Sequence, residues 1–250
     1  MPLRVAALYD IHGNLPALEA VLAEIQEAKV DRIVVGGDVV PGPMPRETLH
    51  HLLQLDVPVE FIHGNGDRET LAALRGEVSS AVPEQFREVL HWSAKQLDGE
   101  DIKLVASWPL TLRMKIDPLG EVLFCHATPR NDTEIFSAAT VVSKLLPIFE
   151  GLNAPVVVCG HTHMQFDRMV GKTRIVNAGS VGMPFGEPGA YWLLLGPDVS
   201  LRRTTYDLQR AAESVRATTY PQASDFAARN VLRVPSAADV LAMYKRGELG

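Results

Sequence analysis

The stretch Val156-Val157-Val158-Cys159-Gly160-His161-Thr162-His163 decides how the chain is read. A short apolar, β-branched run of this kind is a buried strand. It stops at Gly160, where the backbone turns without a side-chain clash. Two imidazoles follow at positions i and i+2. In extended chain they point to the same side, roughly 6–7 Å apart by the strand rise. That gap is wide for one ion and suits two ions held roughly 3.5–4 Å apart. Taken alone, the same residues are equally well two exposed loop histidines.

Working outward, the pattern repeats four times. Leu3–Tyr9 runs into Asp10-Ile11-His12-Gly13-Asn14. Ile33–Val35 runs into Gly36-Gly37-Asp38. Val59–Ile62 runs into His63-Gly64-Asn65-Gly66-Asp67. Val122–Phe124 runs into Cys125-His126-Ala127. Ligands of α/β sheets gather beyond the carboxyl ends of the strands. Five strands therefore deliver Asp10, His12, Asp38, Asn65, His126, His161 and His163 to one rim.

Composition narrows the class. The chain has 250 residues, 46% of them hydrophobic, enough to bury a substantial core. A formal net charge of −6 offers no basic footprint for nucleic acid. No apolar run approaches the roughly 20 residues of a membrane-spanning helix. Met1-Pro2-Leu3-Arg4 leads straight into a strand with no signal-peptide pattern, so the expected location is the cytoplasm. Cys125 and Cys159 each lie near a candidate ligand. Both are expected as buried free thiols.

The rest of the chain gives the frame. Asn14 is a helix N-cap, with Pro16 in the first turn and Leu15, Leu18, Val21, Leu22 and Ile25 on one face. Asp31–Val35 returns as a strand, which makes a β-α-β unit. Thr48–Leu55 is expected as a helix and Val57–His63 as a third strand. Asp67 is placed to cap a helix over Arg68–Leu74, and Pro83 opens a longer one. Thr111–Ile116 and Glu121–Phe124 form a hairpin, and Ala138–Glu150 a helix despite Pro147. Strands follow at Arg168–Val170, Arg174–Val176, Tyr191–Leu195 and Leu201–Thr205. Two helices, Leu208–Ala217 and Ala237–Lys245, close the chain. This divides into a domain over 1–207 and a helical extension over 208–250 packed on it.

The motifs Asp-x-His, Gly-Asp, Gly-Asn, His and Gly-His-x-His, in that order from Asp10 to His163, resemble the calcineurin-like metallophosphoesterase superfamily. The surroundings of Asp10 and of Asn177-Ala178-Gly179-Ser180 look like its small bacterial and archaeal phosphodiesterase branch. The resemblance implies an α/β fold: a four-layer α-β-β-α sandwich of two mixed β-sheets flanked by helices. It implies two divalent transition-metal ions, Mn first, with Fe, Zn, Co and Ni as alternatives. Asp10, His12 and His163 would hold one, Asn65, His126 and His161 the other, and Asp38 would bridge them. Mixed oxygen and imidazole donors suit these metals better than Ca or Mg. Two such ions lower the pKa of bound water from 15.7 to about 7, and a metal-bridging hydroxide is the implied nucleophile.

The chain also departs from the family pattern. Superfamily protein phosphatases carry Gly-Asn-His and Gly-Asp-x-x-Asp-Arg-Gly, whose His–Asp pair protonates the leaving group and whose Arg holds the phosphate. Here Gly66 stands at the His position, Pro41 at the Asp position and Gly42 at the Arg position. Asp67 is a candidate replacement acid, with a helix cap or an Arg68 partner as the plainer alternative. Arg130 is a candidate phosphate clamp, or else a surface arginine. Asn14 is a candidate substrate contact besides its capping role.

The function expected is hydrolysis of small phosphodiesters or nucleotides, with dinucleoside polyphosphate (phosphoanhydride) hydrolysis as the alternative. A non-catalytic metal-dependent scaffold or regulatory binding protein is the rival class, since folds outlive activities. The expected partner is a small phosphorylated substrate. Membrane is excluded, nucleic acid disfavoured, and a homo-oligomer left open.

Overall fold

Alternation along the strands builds the layers. In β1 (Val5–Leu8), Val5 and Ala7 face one side and Ala6 and Leu8 the other, and all four are fully buried. A strand buried on both faces belongs in the middle of a layered fold. The computed structural model describes residues 3–245 and 247–249, and β1 is the central strand of its first sheet. β2 (Arg32–Val35) pairs parallel with β1, and β3 (Val59–Phe61) parallel with β2. On the other side lie β9 (Ala190–Leu195) and β10 (Val199–Thr204), both antiparallel to their neighbours.

The second sheet has the order β4 (Thr111–Ile116), β5 (Gly120–Cys125), β6 (Val156–Cys159), β8 (Thr173–Asn177), β7 (Phe166–Val170). Its inner strands β5, β6 and β8 run parallel and its edge strands antiparallel. The inward residues of both sheets meet in one core. Val5, Ala7, Tyr9, Val34, Leu193 and Leu195 pack against Val122, Phe124, Val156, Val158 and Val176.

Helices cover the outer faces. α1 (Leu15–Ala28) lays Leu18, Val21, Leu22 and Ile25 on the first sheet, beside α2 (Pro45–Leu53) with Leu49 and Leu52. On the second sheet, α6 (Val142–Phe149) packs Leu145, Ile148 and Phe149 over Leu123, Val157 and Ile175. The fold is therefore the four-layer α-β-β-α sandwich that the motifs imply. No helix among the described residues is long and apolar enough to cross a membrane.

Several elements differ from expectation. The helix over 138–150 begins only at Val142, because Thr140 Oγ1 accepts the Ser137 N–H at 2.8 Å and holds the preceding residues in a turn. α3 (Asn65–Ala73) starts two residues before Asp67, with Gly64 as its N-cap. After α4 (Glu84–Gln96) comes an unexpected α5 (Gly99–Ala106), capped by Asp98, whose carboxylate accepts the N–H groups of Glu100 and Asp101.

The tail is also richer in helix than its two expected segments. Between α7 (Leu208–Arg216) and α9 (Ala237–Tyr244) lies α8 (Ala223–Phe226), continued by a π-helical turn over Ala227–Leu232. Ala211, Ala212, Val215, Phe226 and Val231 pack on Val89 and Trp92 of α4.

Candidate metal centre

The ends of β1, β2, β3, β5 and β6 carry seven polar side chains to one edge of the sandwich. The backbone there is unusual. Of seven non-glycine residues with positive φ among the described residues, five are Asp10 (54°), His12 (48°), Asp38 (54°), His161 (63°) and His163 (56°). Such conformations cost roughly 1–3 kcal/mol each, persist where the surroundings dictate them, and cluster at functional sites. They also correct the extended-chain picture of the two histidines. His161 and His163 sit in a tight turn rather than on a continuing strand.

The turn still sends the rings to different places. His163 meets His12, with ring centroids 5.0 Å apart and Nε2 atoms 3.2 Å apart. His161 meets His126, with centroids 5.2 Å apart. Two carboxylates lie between the pairs. Asp38 presents Oδ2 to His12 Nε2 and Oδ1 to His126 Nε2, each at 3.7 Å. Asp10 Oδ1 lies 3.2 Å from His163 Nε2 and 3.8 Å from the Nε2 of both His12 and His126. Asp10, His12 and His163 form one group able to hold an ion; Asp10, Asp38 and His126 form another.

Several observations test whether a cation fits here. Asp10 Oδ2 accepts the His161 N–H at 2.8 Å, but Asp10 Oδ1 is buried with no hydrogen-bond partner among the described residues. An unpaired buried carboxylate oxygen is expensive unless something positive reaches it. The ring nitrogens facing away from the centre are occupied. His12 Nδ1 lies 3.3 Å from Pro41 O, His126 Nδ1 2.9 Å from Gly36 O, and His163 Nδ1 2.7 Å from Met183 O. A ring N–H given to a backbone carbonyl leaves the Nε2 lone pair for a metal. Asn65 Oδ1 lies 3.1 Å from His126 Nε2. Turned over, its amide nitrogen would donate to that atom and, at 2.9 Å, to His161 Nδ1. With Oδ1 inward, three lone-pair donors converge, which a cation satisfies.

The charges agree. Burial, with His163 adding to it, pushes the His12 imidazole down to about 3; burial and His126 do the same to His161. Both rings are neutral and able to ligate. Burial pushes His126 and His163 down as well, but Asp38 and Asp10 outweigh it and the net direction is up. For Asp10, burial pushes up and the imidazoles of His163 and His126 win, so the carboxyl is held low. Burial, with Asp10 adding to it, pushes Asp38 up.

The remaining candidate residues lie elsewhere. Asn14 is fully buried, with Nδ2 donating to Gly182 O at 2.9 Å and Oδ1 accepting the Ala17 N–H. It caps α1 and anchors a loop. Asp67 is fully buried too. It accepts N–H groups from Asp38 (2.8 Å), Val39 (2.9 Å), Val40 (3.1 Å) and Gly64 (3.0 Å). It ties two ligand-bearing loops together, with both carboxylate oxygens engaged by backbone donors. It does not pair with Arg68, which forks onto Asp132 at 2.8 and 3.0 Å. Arg130 is exposed and forks onto Glu134.

Some supporting residues escape a sequence reading. Asn177 Nδ2 donates to Gly160 O at 2.6 Å and to Thr162 Oγ1 at 3.1 Å, fixing the histidine turn. Ser180 Oγ donates to Asp10 O at 2.7 Å. Phe185 stacks on the His163 ring at 5.0 Å. Asn177 and Ser180 lie in a stretch already marked by the sequence; Phe185 carries no signal.

Comparison with known proteins bears on the family and the fold. The sequence profile of the calcineurin-like phosphoesterase superfamily domain matches residues 3–196, ending before α7. An uncharacterised protein of Methanocaldococcus jannaschii is 26% identical over 242 residues, covering 87% of this chain and 94% of that one. The crystal structure of a metallophosphoesterase from Sphaerobacter thermophilus is 27% identical, with a TM-score of 0.71 over 94% of this chain and 100% of that one. A hypothetical protein of Pyrococcus horikoshii shares the fold, with a TM-score of 0.79 at 22% identity over 90% of this chain and 97% of that one.

Proposed function

The chain belongs to the calcineurin-like phosphoesterase superfamily, and on that premise we propose that it is a dinuclear-metal phosphoesterase of small phosphodiesters or nucleotides. The observation that carries this reading is Asp10 Oδ1, buried and unpaired among the Nε2 atoms of His12, His126 and His163. Asp10, His12 and His163 would hold one ion and Asn65, His126 and His161 the other. Asp38, with one oxygen toward each pair of rings, would serve both. Bound ions supply an activated water at neutral pH and positive charge for the phosphoryl oxygens. Mn is the first choice, with Fe, Zn, Co and Ni compatible with the same donors.

The protein's own part is placement. Backbone carbonyls fix three imidazoles, Asp67 fixes the Asp38 and Asn65 loops, and Asn177 fixes the His161–His163 turn. Neither Gly66 nor Pro41 offers a side-chain proton, Asp67 is filled by backbone donors, and Arg130 is held by Glu134. This supports substrates whose leaving group is already a stable anion. The same feature favours phosphoanhydrides of nucleotides as the alternative substrates.

The test is turnover of an activated aryl phosphodiester by protein stripped of metal and reloaded with Mn²⁺, Fe²⁺, Zn²⁺, Co²⁺ or Ni²⁺. Metal-dependent hydrolysis is expected. Tight metal binding without turnover under any of these ions would replace the enzyme by a metal-dependent scaffold.

A further inference from the structure

The C-terminal helix α9 lies beside the metal centre. Phe185, stacked on His163, meets the Tyr244 ring edge-on, with centroids 6.5 Å apart. Pro235, just before α9, accepts the Gly186 N–H at 2.9 Å, and Val240 is buried beneath the helix. Beyond α9 the chain crosses to the loop that follows His126. Leu249 N–H reaches Ile135 O at 3.3 Å, Glu248 meets Thr140, and Lys144 Nζ donates to Leu249 O at 2.6 Å. The tail is thus fastened on both sides of the centre, to the 183–186 loop and to the loop after His126.

Tyr244 is half-buried in this bridge. Its hydroxyl has no hydrogen-bond partner among the described residues. Burial pushes the phenol up, and the nearby Asp10 charge pushes it further, so it keeps its proton. A phenol of that kind is a hydrogen-bond donor rather than an acid.

We propose that Tyr244 is a substrate-contacting residue whose hydroxyl donates to a phosphoryl oxygen of the phosphoester bound at the metal centre. This rests on the phosphoesterase reading and adds to it a donor from the C-terminal extension. The chain leaves room for such a donor: Gly42 stands at the sequence position of the clamping arginine, and Arg130 is engaged by Glu134.

The test compares wild type with Tyr244→Phe, which keeps the ring against Phe185 and removes only the hydroxyl. Inorganic phosphate is titrated calorimetrically into both proteins loaded with Mn²⁺, and kinetics are measured on the aryl phosphodiester. A hydrogen bond to a charged group is worth about 1.5–3 kcal/mol, so phosphate should bind at least tenfold more weakly to the variant. KM should rise by a similar factor with kcat, metal stoichiometry and thermal midpoint unchanged. Tyr244→Ala should also lower the midpoint, since it removes the ring. Equal phosphate affinity in the two proteins, or no phosphate binding to either, overturns the proposal. Absence of turnover in wild type, with phosphate affinity still dependent on the hydroxyl, counts against the phosphoesterase reading alone.

Discussion

Gly66 lies so close to Pro41 that a Cβ built on the glycine would sit 2.7 Å from the proline Cγ and 2.9 Å from Asp38 Oδ1. Two of the three positions that differ from the superfamily phosphatases are therefore neighbours in space. The ring of Pro41 fills the room that a side chain at 66 would need, and the Gly66 N–H donates to Asp38 Oδ1 at 2.6 Å. The two departures form one local packing solution.

Gly66→Ala should be destabilising, although alanine is the better helix former. Overpacking of this kind costs about 1–3 kcal/mol, against about 1 kcal/mol of helix propensity gained. Pro41→Ala should recover most of the loss, and the coupling is read from urea midpoints of the two single variants and the double variant. A Gly66→Ala protein as stable as wild type would show that the loop gives way freely.

Asp67→Asn should damage the fold of the site. An amide offers one oxygen where the carboxylate serves four N–H groups, and its own NH₂ would face donors. Leaving buried donors unpaired costs about 1–3 kcal/mol each. The variant should lose at least about 2 kcal/mol and bind both ions more weakly, because the Asp38 and Asn65 loops part company. A fully stable Asp67→Asn protein with normal metal affinity would contradict the tie.

Arg68 and Asp132 make a second tie, between α3 and the loop after His126. Burial pushes Asp132 up, but the hydrogen bonds and charge of Arg68 outweigh it and hold the carboxyl low. A carboxyl whose folded value is depressed stabilises the fold fully above its unfolded value of about 3.9. That contribution is lost as pH falls through the lower folded value. Asp132→Asn should cost about 1–2 kcal/mol at pH 7, the half-exposed Arg68 being screened by solvent. The gap to wild type should narrow steadily below pH 4. A gap independent of pH would mean that packing, not charge, is lost.

Asp38→Asn should remove metal while keeping the fold, since the substitution takes away the negative charge placed between both pairs of rings. His161→Ala and His163→Ala should each retain one ion, because the rings belong to different pairs. Elemental analysis and calorimetric titration check both statements. Removing metal from wild type with a chelator should lower stability by about 2.7 kcal/mol for each ion held at 100 times its dissociation constant. Simultaneous loss of both ions in each histidine variant would point to a single mononuclear site.

The strands were legible as apolar runs, but Val5-Ala6-Ala7-Leu8, apolar on both faces, marks only a doubly buried strand, and the four layers came from the family resemblance. The seven polar residues were legible because each follows such a run. The local backbone was not. Nothing in Asp10, His12 or His163 marks a positive φ, whereas a glycine there would have. Exposure was not legible either: Asn14 and Asp67, polar neighbours of ligands, are fully buried and engaged by loop backbone. The α5 cap, Asp98 with Asp101, is a local signal, but an eight-residue helix offers little apolar period to go with it. In the tail, small buried residues such as Ala223 and Ala227 left the helical period of α8 and its π-helical continuation faint. Tyr244 had no mark at all, because its place beside the centre depends on how the tail crosses the sandwich.

The missing proton donor sets the last expectation. Breaking a P–O bond to an alkyl alcohol releases a poor alkoxide, and a general acid is worth roughly 10²–10⁴-fold there. Gly66 and Pro41 cannot supply a side-chain proton, and the carboxylate of Asp67 is filled by four backbone N–H groups. A phosphate, nucleotide or aryl oxide leaves as a stable anion and needs no donor. Activity should therefore fall steeply as leaving-group pKa rises, with anhydrides and aryl diesters far ahead of alkyl phosphates such as phosphoserine peptides. The slope should be the same in Asp67→Asn, whatever its loss of stability, and in Tyr244→Phe, whose hydroxyl is assigned to the phosphoryl group rather than the leaving oxygen. The measurement is kcat/KM over a series of substrates of graded leaving-group pKa for the three proteins. A flat series in wild type that steepens in Asp67→Asn would make Asp67 the acid after all; one that steepens in Tyr244→Phe would move the phenol from the phosphoryl oxygen to the leaving group.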